Sequence, residues 1–312
     1  MRRNFREWSV AAALLAVLVL LRILAPSFYQ PQPLLSLSTR EGPVLLVACG
    51  AALVILARQI DISIGSQFGV VGVLVGMLAG TGCPAWLLPP AALALGALLG
   101  AVNGALVAGL GLPSIVITLA TMVSWREGLR LLRQGEFVNL PEGLQWLGLP
   151  QATGQWTVVG SALGMLMLLA LALRHLAAGR FLYAVGSDAE AARLAGLRPR
   201  RVTFLAFVAT GACTGLAAML NLIQSPQVDP KSGTGLELSA IAAVVVGGVA
   251  ISGGRGSLWS VLPGVLLLAC VSPALTHLHV EAYWEKAIQG GVILLAVVAD
   301  GLRSRRAGKG GA

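Results

Sequence analysis

The sequence predicts an all-α integral membrane protein of about ten transmembrane helices, with both termini cytoplasmic and a short helix in a cytoplasmic loop. Three observations carry this: the composition, the length of the apolar runs and the placement of arginine. Of 312 residues, 56% are hydrophobic and 11% charged, with a mean hydropathy of +0.83. A soluble domain carries about 25% charged residues. The polar stretches between apolar runs are too short to fold by themselves, so residues 1–312 form a single transmembrane domain.

A helix rises 1.5 Å per residue, so crossing a bilayer core takes about 20 apolar residues. The first run, 8–25, has the look of a secretory leader in "MRRNFREWSVAAALLAVLVLLRILAPSF". Its apolar stretch exceeds the ~7–15 residues of a leader and no A-x-A site follows, so it reads as a first span. Further spans are expected at 43–59, 63–81, 86–108, 113–131, 155–174, 203–223, 236–252, 258–277 and 284–300. Two of them carry glycine at every fourth position: Gly72, Gly76 and Gly80 in one, Gly96, Gly100 and Gly104 in the next. Such a stripe removes side chains from one helix face and lets another backbone approach, which predicts tight helix packing at these six positions.

Cytoplasmic loops collect Lys and Arg. With the N-terminus inside, the inner segments hold Arg2, Arg3 and Arg6, then Arg58, then Arg174, Arg180, Arg193, Arg198, Arg200 and Arg201, then Arg255, and finally Arg303, Arg305, Arg306 and Lys309. The outer segments hold few positive charges, balanced by acids: Arg133 with Glu136 and Glu142, Lys231 with Asp229, Lys286 with Glu281 and Glu285. Arg22, Arg126 and Arg130 run against the trend, but lie near span ends from which a long side chain reaches the interface. The net charge of +9 thus reflects topology, and no nucleic-acid partner is implied. The cysteines, Cys49, Cys83, Cys213 and Cys270, are scattered without a CxxC pair and read as packing residues, with no metal site.

Two stretches put carboxylates among apolar runs. In "ARQIDISIGSQFG", Arg58, Asp61, Ser63 and Ser66 stand between two spans. One reading is a cytoplasmic hairpin in which Asp61 caps the following helix and Arg58 meets water. The other is a helix break that leaves backbone groups open to a polar solute. Glu237 and Ser239, in "GLELSAIAAVVVGGVAISGGRGS", admit the same pair: a helix start favoured by the dipole, or a polar mouth of the path. The glycines at 253, 254 and 256 suit a tight inner turn around Arg255. In "AVGSDAEAARLAGLRPRRV", Ser187 and Glu190 have capping-box spacing, Gly196 suits a C-cap and Pro199 blocks continuation, which predicts a helix over about Asp188 to Ala195. Its alanines would let a partner approach, with Arg193, Arg198, Arg200 and Arg201 as positive contacts. Alternatively it rests its basic residues on anionic lipid.

The stretches "ARQIDISIGS", "NGALVAGLGLPSIVITLATM", "GSDAEAARLAGLRPRR" and "GTGLELSAIAAVVVGGVAISGGRGS" resemble, in order, the successive motifs of bacterial ABC-transporter permeases for simple sugars, the group that includes the ribose and autoinducer importers. The similarity runs from about residue 43 to 300. It implies a ten-helix subunit of the bacterial inner membrane that pairs with itself or with a close homologue. A periplasmic sugar-binding protein would deliver a monosaccharide such as rhamnose, ribose or a furanosyl compound. A cytoplasmic ATPase with two fused cassettes would drive the cycle and hold ATP and Mg. No G-x-x-x-x-G-K-[ST] loop occurs in this chain, so no cofactor is expected on it and no catalysis by it. Gly186, Asp188, Glu190, Ala191, Arg193 and Gly196 then correspond to the coupling loop within 175–202, and Asp61, Ser63, Ser66, Glu237 and Ser239 are the candidates for path or gate. Arg58 and Gln59 stand where the family often has a glycine pair, which suits either a different polyol or a local salt bridge between Arg58 and Asp61.

The alternative is an ion-coupled secondary transporter of a small polar solute, in which Asp61 or Glu237 would titrate. An intramembrane enzyme finds no support: HExxH, GxSxG and paired catalytic carboxylates are absent, and His277 and His279 sit in an outer loop without further ligands.

Overall fold

A computed structural model describes residues 26–277 together with residues 12, 14–19, 21–23, 281, 284, 286–288, 290, 291 and 294. Most of the expected span 284–300 and part of 8–25 therefore lie outside the described residues, as does His279. Regular structure in the described residues is helical except for one short ladder. Helix α1 is Pro31–Leu56, α2 Ile64–Gly80, α3 Leu88–Gly104, α4 Ser114–Arg133, α5 Gln151–His175, α6 Ala177–Ser187, α7 Ala189–Leu194 and α8 Pro199–Leu222. After these come α9 Leu236–Val246, α10 Val261–Ala269 and α11 Val271–His277. The strands β1, Val138–Asn139, and β2, Gln227–Val228, pair antiparallel. Among the described residues, five helical stretches are long and apolar enough to cross a membrane: Pro31–Leu56, Ala85–Gly109, Gln151–His175, Pro199–Leu222 and Leu258–Leu275.

Prolines set several starts, because their missing N–H and fixed φ suit a first turn. Pro31 opens α1, Pro89 and Pro90 lie in the first turn of α3, and Pro199 opens α8. Pro43 lies inside α1 without ending it. Helix α3 runs on into a π-turn, Ala105–Gly109, before Gly111 and Pro113 turn the chain. Helix α1 starts twelve residues ahead of the expected 43, because "PQPLLSLSTREG" continues the helix despite its polar residues.

The expected span 236–252 is corrected: its helix stops at Val246, and 247–257 is irregular. Eleven residues rise only about 16 Å, half a membrane. Tandem glycines at 247 and 248 end the helix, with Gly248 at φ 107°.

Helix α8 occupies the centre and packs on α1, α2 and α3. Its approach to α3 is set by glycine on both sides. A Cβ on Gly96 would lie 2.8 Å from the Gly215 Cα and N, and one on Gly211 would lie 2.9 Å from the Gly100 Cα and N. Gly100 and Gly104 also face the Phe207 and Phe204 backbones. The stripe on α2 takes a different partner: Gly72 and Gly76 rest on side chains of the β-ladder, Val228 and Val138 among them, and Gly80 faces open space. Gly80 is therefore corrected as a packing position.

One end of the bundle is basic. There Leu56 at the end of α1, Gly186 at the end of α6 and Gly254 after α9 meet backbone to backbone, with Gly254 N donating to Leu56 O at 2.9 Å. Arg58, Arg193, Arg198, Arg200 and Arg201 are exposed around this junction. The β-ladder marks the opposite end.

Candidate functional site

Two helices begin inside the bundle, and their heads meet. After Leu56 the chain leaves helical geometry over 59–62 and climbs away from the basic end before α2 starts at Ile64. The depth follows from α4: Ile60 N donates to Ser114 Oγ at its first residue, while Ser66 Oγ donates to Met122 O, eight residues or about 12 Å further along. The second head arrives from the opposite end. The segment 228–235 descends along α2 from Gly76 to Gly65 and turns into α9 at Gly235, φ 86°. Gly65 leaves no room for a Cβ, because the Glu237 carboxylate and the Gly233 carbonyl occupy it. The sequence offered a capped hairpin or a helix break at Asp61, and the backbone here is broken and buried.

Asp61 is 3% exposed and Ser63 0%. Asp61 Oδ1 accepts from Ser63 N at 2.8 Å and Ser63 Oγ at 2.6 Å, and its Oδ2 accepts from Gln67 Nε2 at 3.0 Å. Gln67 Nε2 and Asn103 Nδ2 also reach Ser63 Oγ, at 2.9 and 2.7 Å. The carboxylate is thus held by neutral donors; among the described residues no Lys or Arg pairs with it. The suggested salt bridge with Arg58 does not form, since Arg58 occupies an exposed turn at φ 63°. Gln67 and Asn103 escaped the sequence reading, although amides inside apolar runs are themselves a signal of interhelical bonding.

Glu237 is also buried, yet it has a cationic partner: Arg126 Nη2 lies 3.2 Å from Glu237 Oε1, with side chains 21% and 8% exposed. Arg126 thus turns inward to α9, which corrects its reading as an arginine reaching for the interface. The other oxygen, Oε2, has no hydrogen-bond partner among the described residues and rests against Gly65 at the head of α2. Ser66 is buried, and Ser239 is partly exposed.

Beside the α9 head lie two adjoining clefts. The smaller, about 240 Å³, is lined by Arg40, Glu41, Val44, Ser239, Ala243 and apolar residues of α10. The larger, about 580 Å³, includes Phe68, Asn221, Ser232, Thr234, Ser239 and Lys286. Of the five candidate path residues, Ser239 lines both of these clefts and the other four line neither.

At the basic end, Asp188 caps α7: its Oδ1 accepts from Glu190 N at 2.9 Å and Ala191 N at 3.0 Å. This corrects the capping box expected of Ser187, because a carboxylate one residue later is the stronger acceptor and Glu190 is engaged by Arg193 at 2.6 and 3.0 Å. That pairing holds the Glu190 carboxyl below its usual range and raises the Arg193 guanidinium. Gly196, φ 85°, ends the helix, with Leu197 N returning to Ala192 O. Glu190, Ala191, Arg193 and Leu194 face out, Leu194 being 77% exposed. Gly186 does not: it is buried in the backbone junction, where a Cβ would strike the Leu56 carbonyl, and this corrects its place on a partner-facing surface.

A family model described as the branched-chain amino acid transport system permease component matches residues 34–297. The autoinducer 2 import system permease protein LsrC of Enterobacter sp. (strain 638) is 36% identical over 297 residues, covering 95% of this chain and 87% of the relative. The LsrC proteins of Salmonella typhi and Escherichia coli O157:H7 are 35% and 34% identical, each covering 96% of this chain and, respectively, 86% and 88% of the relative. No solved structure matches. With the half-length helix α9, the buried polar heads and a match over most of its length, the chain belongs to this permease family and is a multi-pass inner-membrane permease component of a bacterial ABC importer.

Proposed function

We propose that this permease carries a small hydroxylated sugar related to autoinducer 2 into the cell by alternating access, driven by a separate double-cassette ATPase and fed by a periplasmic binding protein. The solute class rests on the relatives named for autoinducer 2 import, which match nearly the whole chain. The drive rests on one structural observation. Helix α7 stands exposed at the basic end, while the loop that carries it is tied by backbone contacts to the end of α1 and the turn after α9. A push on α7 is thereby delivered to the two elements that flank the broken segments. In this reading the basic end faces the cytoplasm, and a second permease, identical or homologous, completes the pore. Asp61, Ser63, Ser66 and Glu237 shape the gate from within; Ser239 faces the path.

The test is uptake in cells stripped of their own sugar importers and supplied with this permease, its ATPase and its binding protein. Autoinducer 2 uptake that needs ATP hydrolysis is expected. Uptake of leucine in its place would replace the solute. Transport in energised vesicles without the ATPase, abolished by an uncoupler, would overturn the mechanism in favour of ion coupling.

A further inference from the structure

The two heads carry related sequences. "IDIS", Ile60–Ser63, matches "LELS", Leu236–Ser239, and the register continues to "GV" at 72–73 and 248–249. Ahead of each head, "VACGA" at 47–51 in α1 matches "VATGA" at 208–212 in α8. Beyond each head, "WLLPPAAL" at 86–93 matches "WSVLPGVL" at 259–266, and in both a single 3-10 turn, Ala85–Leu87 or Leu258–Ser260, leads straight into a helix. The packing repeats as well. Helix α1 packs on α9 and α10 as α8 packs on α2 and α3, and α2 meets α3 as α9 meets α10. Helices α1 and α8 touch where the repeats correspond, Gly50 against Thr210. Their directions are opposite: α1 runs toward the basic end and α8 away from it. Trp86 and Trp259 are 74% and 49% exposed at opposite ends, as anchors for two membrane faces would be.

The chain therefore contains an inverted repeat, and its halves differ at one informative place. Gln67 in α2 corresponds to Ala243 in α9. In the first half the Gln67 side chain, with Asn103, fills the space at the head and bonds Asp61 and Ser63, and all four residues are at most 3% exposed. In the second half Ala243, itself 1% exposed, carries only a methyl and forms part of the wall of the cleft of about 240 Å³. Among the described residues its rim carries Arg40 and Glu41, paired at 3.2 Å, together with the Ser239 hydroxyl; its wall is apolar, Val44, Val265 and Leu268. A site with donors and acceptors on one side, a paired cation and anion at its rim and an apolar wall suits a small neutral polyhydroxylated ring, whose hydroxyls and C–H face divide the same way.

We infer that the α9-head cleft, left open because Ala243 stands where the other half has Gln67, is the solute subsite of the path, and that the α2 head is its plugged counterpart. Arg40, Glu41 and Ser239 supply the polar contacts. This rests on the sugar reading above and adds its location.

The test has two arms on the full chain with Cys83→Ser, the remaining native cysteines being buried. In native membranes, a small charged methanethiosulfonate is added to Ser239→Cys and Ser63→Cys. Ser239→Cys is expected to react at least tenfold faster; equal rates would overturn the inference, whatever the protein transports. In the transport assay, Ala243→Gln is expected to lower sugar uptake at least tenfold with an unchanged melting temperature. Should that variant fail to fold, blocking folded Ser239→Cys with a bulky thiosulfonate replaces it, with the same loss expected. Normal uptake by either blocked protein would overturn the inference. Absence of sugar uptake by the unmodified complex would instead refute the proposed function, and leave the reactivity arm to decide the geometry.

Discussion

Replacing Gly96 by alanine tests whether the α3–α8 contact holds the bundle together. The added Cβ would strike the Gly211 carbonyl oxygen and lie 2.8 Å from the Gly215 Cα and N, against roughly 3.5 Å for carbon atoms at rest, so the helices must part by at least about 0.7 Å. A gap of that size forfeits a quarter to a half of each well of ~0.1–0.2 kcal/mol, and over about thirty facing atom pairs this sums to about 1–3 kcal/mol. Overpacked cores lose a similar ~1–3 kcal/mol. The alanine itself gains up to about 1 kcal/mol of helix propensity, which partly offsets the loss. Gly160→Ala in α5 isolates that gain, because nothing lies within 4 Å of its Cβ position. The assay is thermal unfolding in mild detergent, followed by a thiol-reactive dye that reports exposure of the buried Cys49 and Cys213. The melting temperature should fall by about 2–4 °C for Gly96→Ala and hold or rise for Gly160→Ala. Equal behaviour of the two variants would refute the reasoning.

Arg126→Ala strands the buried Glu237 carboxylate and should cost about 3–5 kcal/mol, while Arg126→Met with Glu237→Gln recovers most of it; the same melting assay reads both. Asp61→Ala removes the acceptor of Ser63 and Gln67 in a site closed to water, and should lower stability by about 1–3 kcal/mol for each stranded donor, more than Asp61→Asn does. Asp188→Ala uncaps α7, which should cost about 1 kcal/mol of local helix stability and reduce sugar-stimulated ATP hydrolysis in the assembled complex, with Asp188→Asn restoring it. Because Glu190 has a lowered carboxyl pKa through Arg193, their pairing is in place above the ordinary carboxylate range and is lost as pH falls through the lowered value; Glu190→Gln should abolish any acid-side change in that stimulation.

Much of the architecture is legible in linear order. Composition and run length determine that the chain lives in a membrane, because only closed backbone hydrogen bonding survives in lipid, and that requirement turns apolar runs into helices. The glycine spacing at 96, 100 and 104 marks a face for close approach, and Gly211 and Gly215 carry the same spacing on its partner. The short helix after Ser187 is legible because capping is local.

Partnership across the fold is a different matter. Nothing in linear order couples Arg126 to Glu237, 111 residues apart, or brings Asn103 to Ser63. Run length could not show that 236–252 is only half a helix, because hydropathy is indifferent to where the backbone bends, and the tandem glycines decide that only against α10. The sequence by itself determined the solvent, the helical class and the family. Tertiary structure alone decided which buried acid has a cation, which glycines meet a backbone and which head of the repeat stays open, because each of these depends on what a distant segment places within a few ångströms.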